Sequence, residues 1–203
     1  SEDQSSFCLS VRDANGNSLP DTLWCHDIDG MAYQGAVCTR MSISDKTGRK
    51  IVYLKSGSSG VSILGTDGTE EAAFGNEVSG NYSTICVADL DNDGTKEIIC
   101  GGVNAVYVWR PDGTPFSRSP FFSRSACDFR SSPVVCDLDG DGQKEIVIAT
   151  RNNPSRIYAI KRDGTCVGTF DGTVTQPYPI GDHEGLDHSV SVGDINGDGH
   201  LEV

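Results

Sequence analysis

The residues of this chain best suited to chemistry are carboxylates in three short runs that share one spacing. Asp89, Asp91, Asp93 and Glu97 stand at positions 1, 3, 5 and 9 of a loop whose sixth residue is Gly94. Asp137, Asp139, Asp141 and Glu145 repeat the pattern around Gly142, and Asp194, Asn196, Asp198 and Glu202 repeat it around Gly199. Alternate side chains in so tight a turn converge on one point, and the glycine permits backbone angles that a Cβ would penalise. Carboxylate oxygens at this density suit a hard cation. Ca2+, which takes about 6 to 8 oxygens at roughly 2.3–2.6 Å, fits better than Mg2+, which keeps its waters and a strict octahedron. The backbone carbonyls at position 7, those of Thr95, Gln143 and His200, are the expected further ligands, so the chain should hold about three Ca2+ ions.

The plainer reading of such clusters is that Asp, Asn and Gly are turn formers on a wet surface. Three copies in register with a longer repeat weigh against it. An EF-hand is excluded, because its loop needs flanking helices and a glutamate at position 12, where the first loop has Cys100. Without metal the loop acids would repel one another, raising their pKa values and straining the turns. Calcium should therefore stabilise the fold by joining the two strands that flank each loop.

Those strands belong to the repeat. Residues 87–99 align with 135–147 and with 192–203. The first two copies are each followed by an apolar alternating run ending in an Asp-Gly turn: Val106–Thr114 with Asp112-Gly113, and Ile157–Thr165 with Asp163-Gly164. Such a turn between alternating runs is a strong hairpin signal. A degenerate copy at Ile43–Val52 keeps its hairpin at Val61–Thr69, but Ile43 and Thr47 replace ligand acids, so the loop around Asp45 should hold no ion. Phe7–Gly16 resembles a hairpin half alone. Each unit thus reads as strand, acidic loop, strand, variable loop, strand, Asp-Gly turn, strand, the size of a propeller blade. No window carries a sustained helical period.

The expected fold is all-β, a β-propeller-like array of about four four-stranded blades in one domain. Its parts are a half-blade at 7–20, blades at 35–75, 83–120 and 131–171, and a half-blade at 188–203. Three arrangements are open: the half-blades pair into a closed ring, the chain is a fragment of a larger propeller, or half-blades pair between molecules into a head-to-tail filament.

The composition narrows the partners. A net charge of −13 over 203 residues leaves no basic face for nucleic acid, and no apolar stretch is long enough for a membrane helix. Three bound Ca2+ would bring the charge from −13 to about −7. The chain starts at Ser1 without Met, which reads as a processed or excised product. Eight cysteines without a Cys-x-x-Cys pair fit disulfides in an oxidising compartment, hence a secreted protein. The expected pairs are Cys86–Cys100, flanking the first acidic loop, Cys25–Cys38, Cys127–Cys136 and Cys8–Cys166. Asn81-Tyr82-Ser83 is a glycosylation sequon.

No catalytic constellation stands out. His183 and His188 bracket Glu184 and Asp187 at a spacing that suits no helical face, and Ser131-Ser132 reads as a strand entry. Trp24, Trp109, Tyr82, Tyr107, Tyr158 and Tyr178 are candidates for stacking on sugars, but Tyr107, Trp109 and Tyr158 lie on strands where core packing is commoner. Tyr178 is the expected exposed aromatic.

Ser131–Ile148, with its Asp137-Leu138-Asp139-Gly140-Asp141-Gly142 core, followed by Arg156-Ile157-Tyr158-Ala159, resembles the FG-GAP/VCBS repeat family. The resemblance covers most of residues 35–203. It implies calcium-bearing propeller blades of the kind found in integrin α-subunit heads, fungal propeller lectins and secreted polysaccharide-processing proteins. It also implies an extracellular, noncatalytic module for adhesion, carbohydrate binding or structural assembly, with a protein or glycan ligand and possible self-association through half-blades. The alternative is the propeller portion of a secreted enzyme such as a polysaccharide lyase. The chain departs from the family in the bare first loop and the high cysteine count.

Overall fold

The computed structural model describes residues 5–9, 24–28, 36–43, 46–55, 60–78, 83–152, 155–171 and 189–203. Every regular element among them is a β-strand. β1 (Ser5–Leu9) and β2 (Trp24–Ile28) form a two-stranded sheet. β3 (Val37–Ile43), β4 (Lys46–Leu54), β5 (Val61–Leu64) and β6 (Glu70–Phe74) form a four-stranded meander, in sequence order and antiparallel. β7 (Cys86–Ala88), β8 (Glu97–Trp109) and β9 (Phe122–Asp128) form a three-stranded sheet. β10 (Val134–Cys136), β11 (Glu145–Ala149), β12 (Ile157–Ile160) and β13 (Cys166–Asp171) form another of four strands.

The last three of these sheets stack face to face, and the stacking explains the sequence of their central strands. A sheet covered on one face alternates apolar and polar residues, whereas one covered on both reads as an unbroken apolar run. Ile98-Ile99-Cys100 and Ile146-Val147-Ile148-Ala149 are such runs, all at 0% exposure. Ile98 and Cys100 join Met41, Val52, Leu54 and Ile63 of the β3–β6 sheet in one core cluster. Ile99 faces the other way, meeting Ile146, Ile148, Tyr158 and Ile160 of the β10–β13 sheet in a second. Val147 and Ala159, on the far face of that sheet, gather Val190, Val192, Leu201 and Val203 from the C-terminal segment. Tyr107, Trp109 and Tyr158 are core residues, 7%, 1% and 1% exposed.

The Asp-Gly turns form as the sequence implies. Gly68, Gly113 and Gly164 adopt φ of 81°, 83° and 82°, a region open to glycine and costly for other residues. In each turn the aspartate accepts hydrogen bonds from the backbone and hydroxyl of the following threonine: Asp67 from Thr69, Asp112 from Thr114, Asp163 from Thr165.

The middle sheet differs from the expected blade at 83–120. Strand conformation runs unbroken from Glu97 to Trp109, and the third strand, β9, ends at Asp128. The chain absorbs the variable loop within β8: Asn104 takes a φ of 63°, and the register against β9 shifts between Val103 and Ala105. Inward-facing residues change parity there, from Ile98 and Cys100 to Ala105, Tyr107 and Trp109.

Four expected disulfides give way. Antiparallel partners share a face, and Cys86 is opposite Ile99, which places Cys86 and Cys100 on opposite faces of their sheet. Cys86 lines the second cluster and Cys100 lies inside the first. Cys38, Cys86, Cys100, Cys127 and Cys136 carry free thiols and Cys166 is in no disulfide, so Cys25–Cys38, Cys127–Cys136 and Cys8–Cys166 do not form either. The backbone register instead sets Cys8 directly opposite Cys25. β1 finds its partner in β2, and among the described residues neither strand pairs with residues 189–203. Asn81, Tyr82, Tyr178, His183 and His188 lie outside the described residues.

Candidate metal centre

The first two acidic loops each join an edge strand to the central strand beside it, the third spans the isolated Gly193–Glu202 bridge, and all three share one hydrogen-bond scheme. The position-6 glycine donates its N–H to Oδ2 of the position-1 aspartate: Gly94 to Asp89 at 3.0 Å, Gly142 to Asp137 at 2.9 Å, Gly199 to Asp194 at 2.9 Å. These glycines have φ of 88°, 84° and 87°, so any other residue there would strain the turn that points the aspartates inward. The position-2 N–H groups of Leu90, Leu138 and Ile195 are accepted by Oε2 of Glu97, Glu145 and Glu202 at 2.8, 2.9 and 2.8 Å. That bond folds the glutamate back over the loop it closes.

Two loops gather three carboxylates apiece, with oxygens within 4.8 Å of one another: Asp89, Asp91 and Glu97 in the first, Asp137, Asp139 and Glu145 in the second. Asp93 and Asp141 are held aside. The Asp93 carboxylate accepts the Thr95 N–H at 2.6 Å and that of Asp141 accepts the Gln143 N–H at 2.8 Å, which hold both acids below the usual carboxylate range. Thr95 and Gln143 thus meet the position-5 acid through their N–H groups, as His200 meets Asp198 at 2.8 Å. In the third loop the Asn196 amide donates to Asp198 at 3.0 Å and to Glu202 at 3.1 Å, placing an N–H between the carboxylates an ion would bridge.

The donor set fits a hard divalent cation, and the second loop carries the sharpest sign of one. Asp137 Oδ1 and Glu145 Oε1 are buried and accept no hydrogen bond. A buried anionic oxygen without a partner is among the costliest features a fold can keep, and here two face a shared cluster. Glu97 and Glu145 are 1% and 0% exposed. Burial pushes the Glu97 carboxyl up to about 7, against the hydrogen bond from Leu90, and the charges of Asp91, Asp93 and Asp89 add to the rise. Burial also raises Glu145 above its ordinary value, again opposed by its backbone bond to Leu138.

A pH dependence follows for the metal-free protein. Glu97 holds its proton more tightly folded than unfolded, where its ordinary value is 4.5, so the folded state carries the extra proton between about pH 4.5 and 7. Stability falls as pH rises through that window and levels off above it, with Glu145 acting in the same direction. Urea unfolding in chelator should give a fold more stable at about pH 5.5 than at about pH 7.5, by on the order of 1–2 kcal/mol. Equal midpoints at the two pH values would show that the buried carboxyls are not perturbed.

The acidic spacing does not reveal the lysines around the loops. Lys144 reaches from the second loop to the Asp89 carbonyl at 2.6 Å, and Lys96, at the same position of the first loop, reaches Thr39 Oγ1 of β3 at 2.7 Å. Their shared position 8 is visible in the alignment, but nothing in it says which way they point. Lys161 Nζ lies 2.6 Å from Asp139 Oδ2 and 3.1 Å from Asp141 Oδ2. Arg162 donates to the Asp91 carbonyl at 3.3 Å, and Asn92 to that of Gly142 at 3.4 Å, so the two loops are bridged.

Antiparallel sheets stacked face to face, two of them with an acidic glycine-punctuated loop between their first two strands, define a propeller-like repeat module. The model for the FG-GAP-like repeat matches residues 89–148 and 137–203, more than half of the chain, and the protein belongs to that family. Comparison with curated proteins gives no match.

Proposed function

We propose that this chain is a noncatalytic, calcium-binding repeat module of an extracellular protein, used for adhesion, carbohydrate binding or structural assembly. The observation that carries the reading is the pair of buried, partnerless oxygens of Asp137 and Glu145 inside a three-carboxylate cluster. All the donors are hard oxygens on a backbone loop, which favours Ca2+ over softer ions and tolerates its irregular shell better than the strict octahedron of Mg2+. The cross-strand placement of Cys8 and Cys25 supports an oxidising setting, since directly opposed antiparallel residues lie at the separation a disulfide spans.

For a ligand, the surface between the two loops offers a cleft of roughly 560 Å³ lined by Phe116, Asp91, Asp141, Gln143, Arg162 and Asp163. One aromatic ring among hydrogen-bonding groups of both signs is the combination that holds a sugar. Calorimetric titration of chelator-stripped protein with CaCl2 tests the metal reading. Saturable uptake of about two ions, with weaker uptake of Mg2+, is expected from the two clusters. No heat and no change in melting temperature on adding Ca2+ would overturn it.

A further inference from the structure

The two clusters are alike in their acids and unlike in their neighbours. Two residues before the Asp-Gly turn of each of these two sheets stands a cation: Arg110 in the sheet of the first loop and Lys161 in that of the second. Arg110 donates to the Pro115 carbonyl at 3.0 Å and lies over the Phe116 ring at 5.4 Å, and among the described residues it forms no ion pair with an acid of the first cluster. Lys161 is turned in, its ammonium against Asp139 and Asp141. It leaves the deeper oxygens, Asp137 Oδ1 and Glu145 Oε1, without a partner. One ammonium therefore neutralises the rim of the second cluster and cannot serve its floor, whereas a divalent ion among Asp137, Asp139 and Glu145 would serve both.

We propose that Lys161 is a built-in competitor for the second metal site: a divalent cation binds there only by displacing the Lys161 ammonium from Asp139, which lowers the affinity of that site alone. The inference rests on the reading of the acidic loops as cation sites. The competing contacts are partly exposed, with side chains 30% and 26% accessible for Lys161 and Asp139, so each is of the modest strength of a surface ion pair. Together the two contacts correspond to about a tenfold change in metal affinity.

A Glu97→Gln background silences the first site, so that CaCl2 titration reads the second. In that background Lys161→Met should bind Ca2+ about tenfold more tightly than the parent, while Lys161→Arg, which keeps the charge, should stay close to it. Lys46→Met removes the same charge from an exposed position at the start of β4, and should change the affinity less than about twofold. A Lys161→Met affinity no tighter than that of Lys46→Met would overturn the proposal. If neither the parent nor any variant takes up Ca2+, the reading of the loops as cation sites fails as well, which sets the two failures apart. The wild-type chain supplies a second readout. Acylation of the Lys161 amine, followed by mass spectrometry, should rise on adding Ca2+ as the ammonium is released, and unchanged or reduced labelling would also overturn the proposal.

Discussion

The double variant Glu97→Gln, Glu145→Gln should lose the rise in melting temperature that Ca2+ gives the wild type, and lose none of its stability in chelator. At a calcium concentration about a hundred times Kd, each site stabilises the folded state by about 2.7 kcal/mol. Two sites contribute about 5 kcal/mol, or roughly 10–20 °C in Tm for a domain of this size. Glutamine keeps an oxygen that can accept the Leu90 and Leu138 N–H bonds now made by Oε2, so the loops retain their closure. What the substitution removes is a charge that is 1% and 0% exposed and, in metal-free protein, surrounded by other carboxylates. The chelated variant should therefore melt at or above the chelated wild type. A drop of both curves together would mean that the glutamates are structural hydrogen-bond acceptors and nothing more.

Truncating Trp109 to alanine should cost about 3–5 kcal/mol, read as a lower urea midpoint with little change in slope. The indole is 1% exposed and stacks on Tyr107 with centroids 5.5 Å apart and planes 5° from parallel. It meets Phe74 of β6 at 5.7 Å, and a Cβ on Gly75 would lie 3.0 Å from its Cζ2 atom. Its Nε1 donates to the Glu77 carboxylate at 3.3 Å. One side chain of β8 thus fills the join between its own sheet and the β3–β6 sheet. Trp109→Phe, which keeps a ring but gives up the hydrogen bond, should cost about half as much. A loss under about 1 kcal/mol for the alanine variant would show that the two sheets do not depend on this contact.

The repeat is legible in the sequence because its punctuation is chemical: glycine at a positive φ, aspartate capping its own turn, and apolar pairs between them. Both the loops around Asp89 and Asp137 and the turns at Asp67-Gly68, Asp112-Gly113 and Asp163-Gly164 stand where that punctuation puts them. Facing direction is less legible. Cys86 and Cys100 are equally spaced about the first loop, yet a shift of one residue in register puts them on opposite faces, and counting outward from a loop cannot detect it. The two three-carboxylate groups follow the spacing of the glutamates and first two aspartates. Spacing does not show that Asp93 and Asp141 also accept the Thr95 and Gln143 N–H groups, as a short acid in a turn can. Lys161 is invisible to loop spacing altogether, since it comes from a hairpin 20 residues after Asp141 and meets the loop only through the pairing of β12 with β11.

The position-8 lysines give the stack a direction. Lys96 reaches back from the middle sheet to Thr39, and Lys144 reaches back from the last four-stranded sheet to Asp89. Each of these two repeats thus carries a fastener for its predecessor. A chain assembled from its N-terminus would find every acceptor already in place when the matching ammonium is made, so the array can be buttoned in the order of synthesis, one unit onto a finished surface at a time. Arranged the other way, each new unit would present an acceptor and wait for a later one to close it.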